Sequence, residues 1–254
     1  IGVGANGGIT VVGCHIMSNS MQGVNISSTA NNIIGGTDPT NRNVISANGQ
    51  FGVQIWYPGA TNNKVLGNYI GTDASGTAAA GNIRGVSIAM GASRNFVGGT
   101  TAGSGNLISG NNYGVYLVDT NTISNVIQGN YIGTDAAGAA KVANTQDGIE
   151  MIAPSNTAGG TSGAAGNVIS GNGIDGIHIA GTNAIGNIVQ GNYIGLDATG
   201  AGRLGNTGCG VSISAAPYNT VGGAVLGSGN VISGNGTGIR VADARAVRNV
   251  IQGN

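Results

Sequence analysis

Apolar residues recur along this chain in short alternating clusters, Gly-Val-x-Ile and its relatives, and never at the spacing of an amphipathic helix. Such clusters open at Gly23, Gly52, Gly85, Gly114, Gly148, Gly176, Gly210 and Gly238, with steps of 29, 33, 29, 34, 28, 34 and 28 residues. Two further apolar clusters fall in each interval. One reads Asn-x-Val, as at 63–65, and the other reads Asn-Tyr-Ile-Gly or Asn-Val-Ile-Ser. The glycine of "GNYIG" stands at 67, 129 and 191, and Gly253 opens a fourth copy, so a 62-residue unit contains two turns of about 31 residues.

Three strands of three to five residues per turn, punctuated by Gly and Asn, predict an all-β chain: a single-stranded parallel β-helix, or β-solenoid, of about eight turns. Parallel pairing needs long crossovers, and the other two faces of each turn supply them. The general chirality of such crossovers makes the expected hand right. Alternation sends Val53 and Ile55 inward in the first element, above Val86 and Ile88, Val115 and Leu117, Ile149 and Met151, Ile177 and Ile179, Val211 and Ile213, and Ile239 and Val241. Val65, Val97, Ile127, Val189, Val221 and Ile251 follow in the second element, and Ile45, Ile70, Ile108, Ile132, Ile169, Ile194 and Ile232 in the third. Each contributes roughly 1.5–3 kcal/mol of burial. Asn32, Asn63, Asn95, Asn125, Asn156, Asn187, Asn219 and Asn249 precede the second element, and Asn43, Asn106, Asn167 and Asn230 the third in alternate turns. They are expected to turn the corners in the left-handed conformation and to hydrogen-bond to their copies one rung away.

Composition agrees with this picture. The 254 residues include 51 glycines, 4 prolines, 7 % charged and 4 % aromatic residues, so a narrow aliphatic core is expected. Nine basic and nine acidic residues cancel, and the basic ones are scattered, which speaks against nucleic acid as a partner. No apolar run approaches the roughly 20 residues of a bilayer span, so no membrane insertion is expected. The start, "IGVGANGG", shows no basic n-region or cleavage site, and the chain ends on "VIQGN" in mid-repeat. Residues 1–254 therefore read as one continuous β-helix segment of a longer protein, with flanking turns or end-to-end self-association expected at its open edges.

Repeats reading "NVISGN", "NxVxGNYIGTDAxG" and "GVxI" resemble those of the right-handed parallel β-helix family, which includes pectate-lyase-like enzymes and long bacterial surface or secreted proteins. The likeness covers essentially the whole chain. It implies an extracellular or cell-surface location, and it leaves activity open because one scaffold hosts many functions.

Candidate chemistry is sparse. Inserts of the form "GTDAxG" place Asp73, Asp135 and Asp197 in a row, two rungs or about 9.6 Å apart. One carboxylate per loop is poor equipment for calcium, which wants six to eight oxygens, so these read as turn caps and no cofactor is expected. Tyr69, Tyr131 and Tyr193 point outward beside Val44, Leu107, Val168 and Val231, and the neighbouring inserts are expected to fold over that stripe. The outward positions of the "GVxI" element read Asn25, Gln54, Ser87, Tyr116, Glu150, His178, Ser212 and Arg240. In related polysaccharide enzymes the sites lie on the outside of one sheet, often the equivalent one. Glu150 beside His178 could work as acid and base, and also reads as an ordinary cross-strand pair. "NTQDGIE" at 144–150 is similar to a polygalacturonase segment, yet "DDC", "GHG" and "RIK" are all missing. Asp147 and Asp175 share the parity of inward residues and read as turn caps.

Trp56, Tyr57, Tyr113 and Tyr116, with Gln54, Glu150 and His178 as hydrogen-bonding neighbours, form the candidate glycan-contacting set. Cys14 and Cys209 lie about six and a half turns apart, roughly 30 Å, beyond the ~7 Å reach of a disulfide. Cys14 takes the place of a corner Asn and is expected buried, with Cys209 accessible. The outward ladder is too heterogeneous for ice binding. The favoured reading is a non-catalytic structural or adhesive rod of a secreted or cell-surface protein, with polysaccharide or cell-surface glycan as the partner. The alternative is a polysaccharide lyase or hydrolase with its site around Glu150 and His178.

Overall fold

The computed structural model describes residues 1–3 and 6–254. The chain winds into a β-solenoid of three sheets, and neighbouring strands pair in parallel. The first sheet has nine strands, from Gly2–Val3 to Thr237–Ala242, and carries the "GVxI" elements. The second has nine, from Thr10–Val11 to Val250–Gln252, and the third eight, from His15–Met17 to Val231–Ile232. One short 3-10 turn, Pro39–Asn41, is capped by Asp38, whose Oδ1 accepts the Thr40 N–H at 2.8 Å. No helix among the described residues is long and apolar enough to cross a membrane.

The expected aliphatic ladders are in place: the inward residues from Val24 and Ile26 to Val211 and Ile213, with Val65 to Val221 and Ile45 to Ile194, are completely buried. In the last turn no further rung covers them, and Val241 and Ile251 are 45 % and 46 % exposed. The outward ladder from Asn25 to Arg240 runs in the expected register, rung by rung.

Asparagine holds all three corners. Asn32, Asn63, Asn95, Asn125, Asn156, Asn187, Asn219 and Asn249 form one continuous ladder, in which each Oδ1 accepts the backbone N–H of the asparagine one turn earlier. The second ladder interleaves the expected Asn43, Asn106, Asn167 and Asn230 with Asn68, Asn130, Asn192 and Asn254. A third ladder, Asn19, Asn48, Asn82, Asn111, Asn144, Asn172, Asn206 and Asn235, closes the corner between third and first sheets. The asparagines between the ends of these ladders are buried, and their side chains are hydrogen-bonded as interior polar groups require, except that Asn187 Nδ2 has no partner.

The left-handed residue is not the ladder asparagine. It is the residue before it: Asn31, Asn62, Arg94, Ser124, Ser155, Gly186, Tyr218 and Arg248 all have φ between 55° and 68°. The ladder asparagine must keep extended geometry to aim its amide along the stack, so the preceding residue absorbs the bend. In "GNYIG" that residue is the first glycine, with φ of 65°, 68° and 69° at Gly67, Gly129 and Gly191.

A second correction concerns side-chain parity. A Cβ built on Gly148 would lie 2.8 Å from Ile169 Cγ2, 2.8 Å from Asn172 Nδ2 and 2.7 Å from the Gly176 carbonyl oxygen. Those neighbours are interior, so Gly148 and Ile149 both face inward and the alternation slips by one residue at the strand glycine. The residue before the glycine consequently faces out. Gln22 Nε2 donates to outward-facing Gln54 Oε1 at 3.0 Å, and Arg84 lies over Tyr116. Asp147 therefore presents its carboxylate to the outer face, contrary to the strict period of two.

The inserts behave as capped turns. Asp73 Oδ1 accepts from Thr77 and Ala78, Asp135 Oδ1 from Ala139 and Ala140, and Asp197 Oδ1 from Thr199 and Ala201, all through backbone N–H groups. Hydroxyls of Ser75 and Thr199 hold the Asp73 and Asp197 carboxyls below the usual carboxylate range. Gly76, Gly138 and Gly200 lie directly on the rings of Tyr69, Tyr131 and Tyr193. The first two tyrosines are half-buried, and Tyr193 is 39 % exposed. Arg42 covers Tyr69 with its guanidinium 4.0 Å from the ring centre.

Candidate functional site on the outer face of the first sheet

The parity slip puts two side chains of each strand on the outer face, one just before the strand glycine and one two residues after it. Phe51 and Gln54, Arg84 and Ser87, Tyr113 and Tyr116, and Asp147 and Glu150 thus form consecutive pairs, with His178 on the next rung. The outcome is a strip of about 19 Å, four rungs of ~4.8 Å, that passes from aromatic and cationic to acidic.

At the aromatic end the Arg84 guanidinium sits 3.8 Å from the Tyr116 ring centre and 5.5 Å from that of Phe51. Tyr113 meets Tyr116 edge-on at 5.5 Å. Burial pushes both tyrosine hydroxyls above their ordinary pKa, and the Glu150 charge adds to it. Trp56 and Tyr57 pack on each other at 4.6 Å near the C-terminal edge of the sheet, with the Tyr57 ring 39 % exposed and its backbone left-handed at φ 70°. The sequence-selected rings are thus present on the expected face, but they contact one another and Arg84 rather than standing as separate platforms. Three polar atoms of this face, Asn25 Oδ1, Trp56 Nε1 and Arg84 Nε, are buried without a hydrogen-bond partner.

At the acidic end His178 Nδ1 lies 3.7 Å from Asp147 Oδ2 and 3.8 Å from Glu150 Oε1. Sequence reasoning paired Glu150 with His178; the third member, Asp147, was assigned to a turn. It is also a cap, since its Oδ1 accepts the Asp175 N–H at 2.9 Å, and Asp175 Oδ1 in turn accepts the Cys209 N–H. Asp147 holds the His178 imidazole above its ordinary pKa against the opposing effect of burial. Burial raises Glu150, Asp147 adds to the rise, and His178 and Arg84 oppose it. Both groups bind protons more tightly folded than unfolded. Their contribution to stability is therefore full in acid and is lost as pH rises through the folded values. In chelator-containing buffer, the stability of wild type relative to Glu150→Gln/His178→Asn is expected to fall steadily from about pH 4 to about pH 8. A difference that is flat or rises over that range, read from urea midpoints, contradicts the assignment.

Phe51 and Arg84 were missed by sequence reasoning for the same reason as Asp147. The signal was available: Gln22, Phe51, Arg84, Tyr113, Asp147 and Asp175 all precede strand glycines, and such bulky polar residues do not make a core ladder. The cysteines also exchange roles. Cys209 is buried, and burial followed by the charge of Asp175 raises its thiol pKa. Cys14 is half-buried at the top of the second asparagine ladder, its N–H donating to Asn43 Oδ1 at 2.9 Å.

Clefts lie between the inserts elsewhere on the rod. One of about 240 Å³ is lined by Arg42, Tyr69, Leu107 and Tyr131 on the third sheet, whereas the strip from Phe51 to His178 follows a sheet surface. Comparison with known proteins finds no family model that matches this chain and no curated protein that matches it.

Proposed function

We propose that the protein is a non-catalytic rod of a secreted or cell-surface protein, of the surface-protein branch of right-handed parallel β-helices, whose first-sheet strip makes weak contacts with polysaccharide. The single observation that carries this reading is the coincidence on one face of paired aromatic rings and a stacked guanidinium, with Tyr57 left 39 % exposed. Sugar hydroxyls match the guanidinium and the tyrosine hydroxyls, while ring faces match the apolar side of a pyranose.

Affinity electrophoresis through gels that contain neutral or acidic polysaccharides tests this. Retardation is expected in at least one gel, with Tyr57→Ala or Arg84→Ala weakening it about fivefold, equivalent to about 1 kcal/mol. Equal mobility in every gel sinks the proposal. The second reading, polysaccharide cleavage with Glu150 as acid and His178 as base, is favoured by one observation, the raised pKa of both groups at 3.8 Å separation.

A further inference from the structure

We propose that Asp147, Glu150 and His178 bind one divalent transition-metal ion of the zinc class, held between two neighbouring turns of the solenoid. One ligand atom from each residue lies within 4.8 Å of both others. Bond lengths of about 2.0–2.2 Å place neighbouring ligands about 3.0–3.5 Å apart, so the two histidine contacts at 3.7 and 3.8 Å need to close by about 0.2–0.8 Å, and the two carboxylates, within 4.8 Å of each other, draw together with them. A protonated imidazole in a plain ion pair would settle on one carboxylate at about 2.8 Å. His178 Nδ1 instead stands almost equally far from two, as around a shared centre.

Asp147 supplies the independent observation. The residue is only 5 % exposed, Oδ1 is used by the Asp175 N–H, and Oδ2 makes no hydrogen bond within the chain and stands 3.7 Å from His178 Nδ1. With Oδ1 anchored and Oδ2 left without a hydrogen bond inside the chain, Oδ2 is available to coordinate a cation. The Asp175 N–H fixes the carboxylate as outer-sphere groups fix metal ligands. Imidazole among the donors selects zinc, cobalt or nickel over calcium and magnesium. The three protein ligands leave coordination positions on the solvent side, where the His178 side chain is 25 % exposed.

Glu150 and Asp147 belong to one turn and His178 to the next, so the ion would join two rungs and raise stability by mass action. This inference does not depend on polysaccharide recognition, and no glycan enters its test. Titration of the full chain with CoCl2 is expected to give saturable visible absorption at one ion per chain, abolished by added ZnCl2. His178→Gln or Glu150→Gln is expected to weaken it at least about tenfold, while His15→Ala leaves it unchanged. Zinc should also raise the melting temperature of wild type and not that of His178→Gln. In the wild-type chain, where folding of a variant is not in question, zinc should shift the imidazole nitrogen resonances of His178 and leave those of His15 in place. No saturable binding, binding unchanged in His178→Gln, or a shift confined to His15 overturns the proposal.

Discussion

Asn125→Ala is expected to lower stability by about 3 kcal/mol or more, although the residue touches no candidate site. Its Oδ1 accepts both the backbone N–H and the Nδ2–H of Asn95 at 3.0 Å, and its Nδ2 donates to Ala92 O and Asn156 Oδ1 at 3.2 and 3.0 Å. Truncation strands two buried donors and one carbonyl at a dry corner, at about 1–3 kcal/mol for each group left unpaired. Since each turn contacts only its neighbours, hydrogen-exchange protection should fall first in the turns that carry Asn95 and Asn156. Asn125→Asp gives a sharper version. The carboxylate still accepts from Asn95 but faces two acceptors, so its folded pKa rises, and stability lost at neutral pH should return in acid as the protonated group donates again. Urea midpoints for the two variants that equal wild type would remove the ladders from the account.

Gly85→Ala is expected to cost about 1–3 kcal/mol, because the added Cβ meets the Gly114 carbonyl oxygen at 2.7 Å, Ile108 Cγ2 at 2.7 Å and Asn111 Nδ2 at 2.9 Å. The backbone there is not left-handed, so the cost is steric and reports the packing of three sheets around the strand glycine. Gly163→Ala is the control: nothing lies within 4 Å of its Cβ position, and its midpoint should stay within about 0.5 kcal/mol of wild type. A midpoint for Gly85→Ala as close to wild type as that of Gly163→Ala would contradict the steric account.

Much of this molecule was legible because a solenoid repeats its physics. The period and the inward ladders follow from alternation, and the outward series from Asn25 to Arg240 came out in register because a slip of one residue would bury polar side chains. The covering of Tyr69 and Tyr131 by inserts followed from the small residues that face them. What alternation could not show was its own interruption. At strand glycines such as Gly52, Gly85 and Gly148 two successive residues face inward, and this departure puts Asp147, read as a turn cap, on the outer face together with Phe51 and Arg84. The third asparagine ladder was visible in the 62-residue spacing of Asn82, Asn144 and Asn206, but these residues lie at the ends of inserts, where attention to strands passes over them. The left-handed position fell one residue early because asparagine was credited with the bend as well as the hydrogen bond. The roles of the two cysteines depend on which corner each faces, which spacing alone does not encode.

Function divides along the same line. The ladders and glycines account for a stiff, regular rod, and the departures from the repeat collect on one strip, from Phe51 to His178. A contact surface and a catalytic site differ in what they do to a bound polymer. The most direct measurement is the chain-length distribution of the polysaccharide that retards the protein most, followed by light scattering during long incubation with wild type and Glu150→Gln. Unchanged chain length with both proteins is the expected result. Progressive shortening with wild type that stops in Glu150→Gln would contradict the account and make the strip an active site.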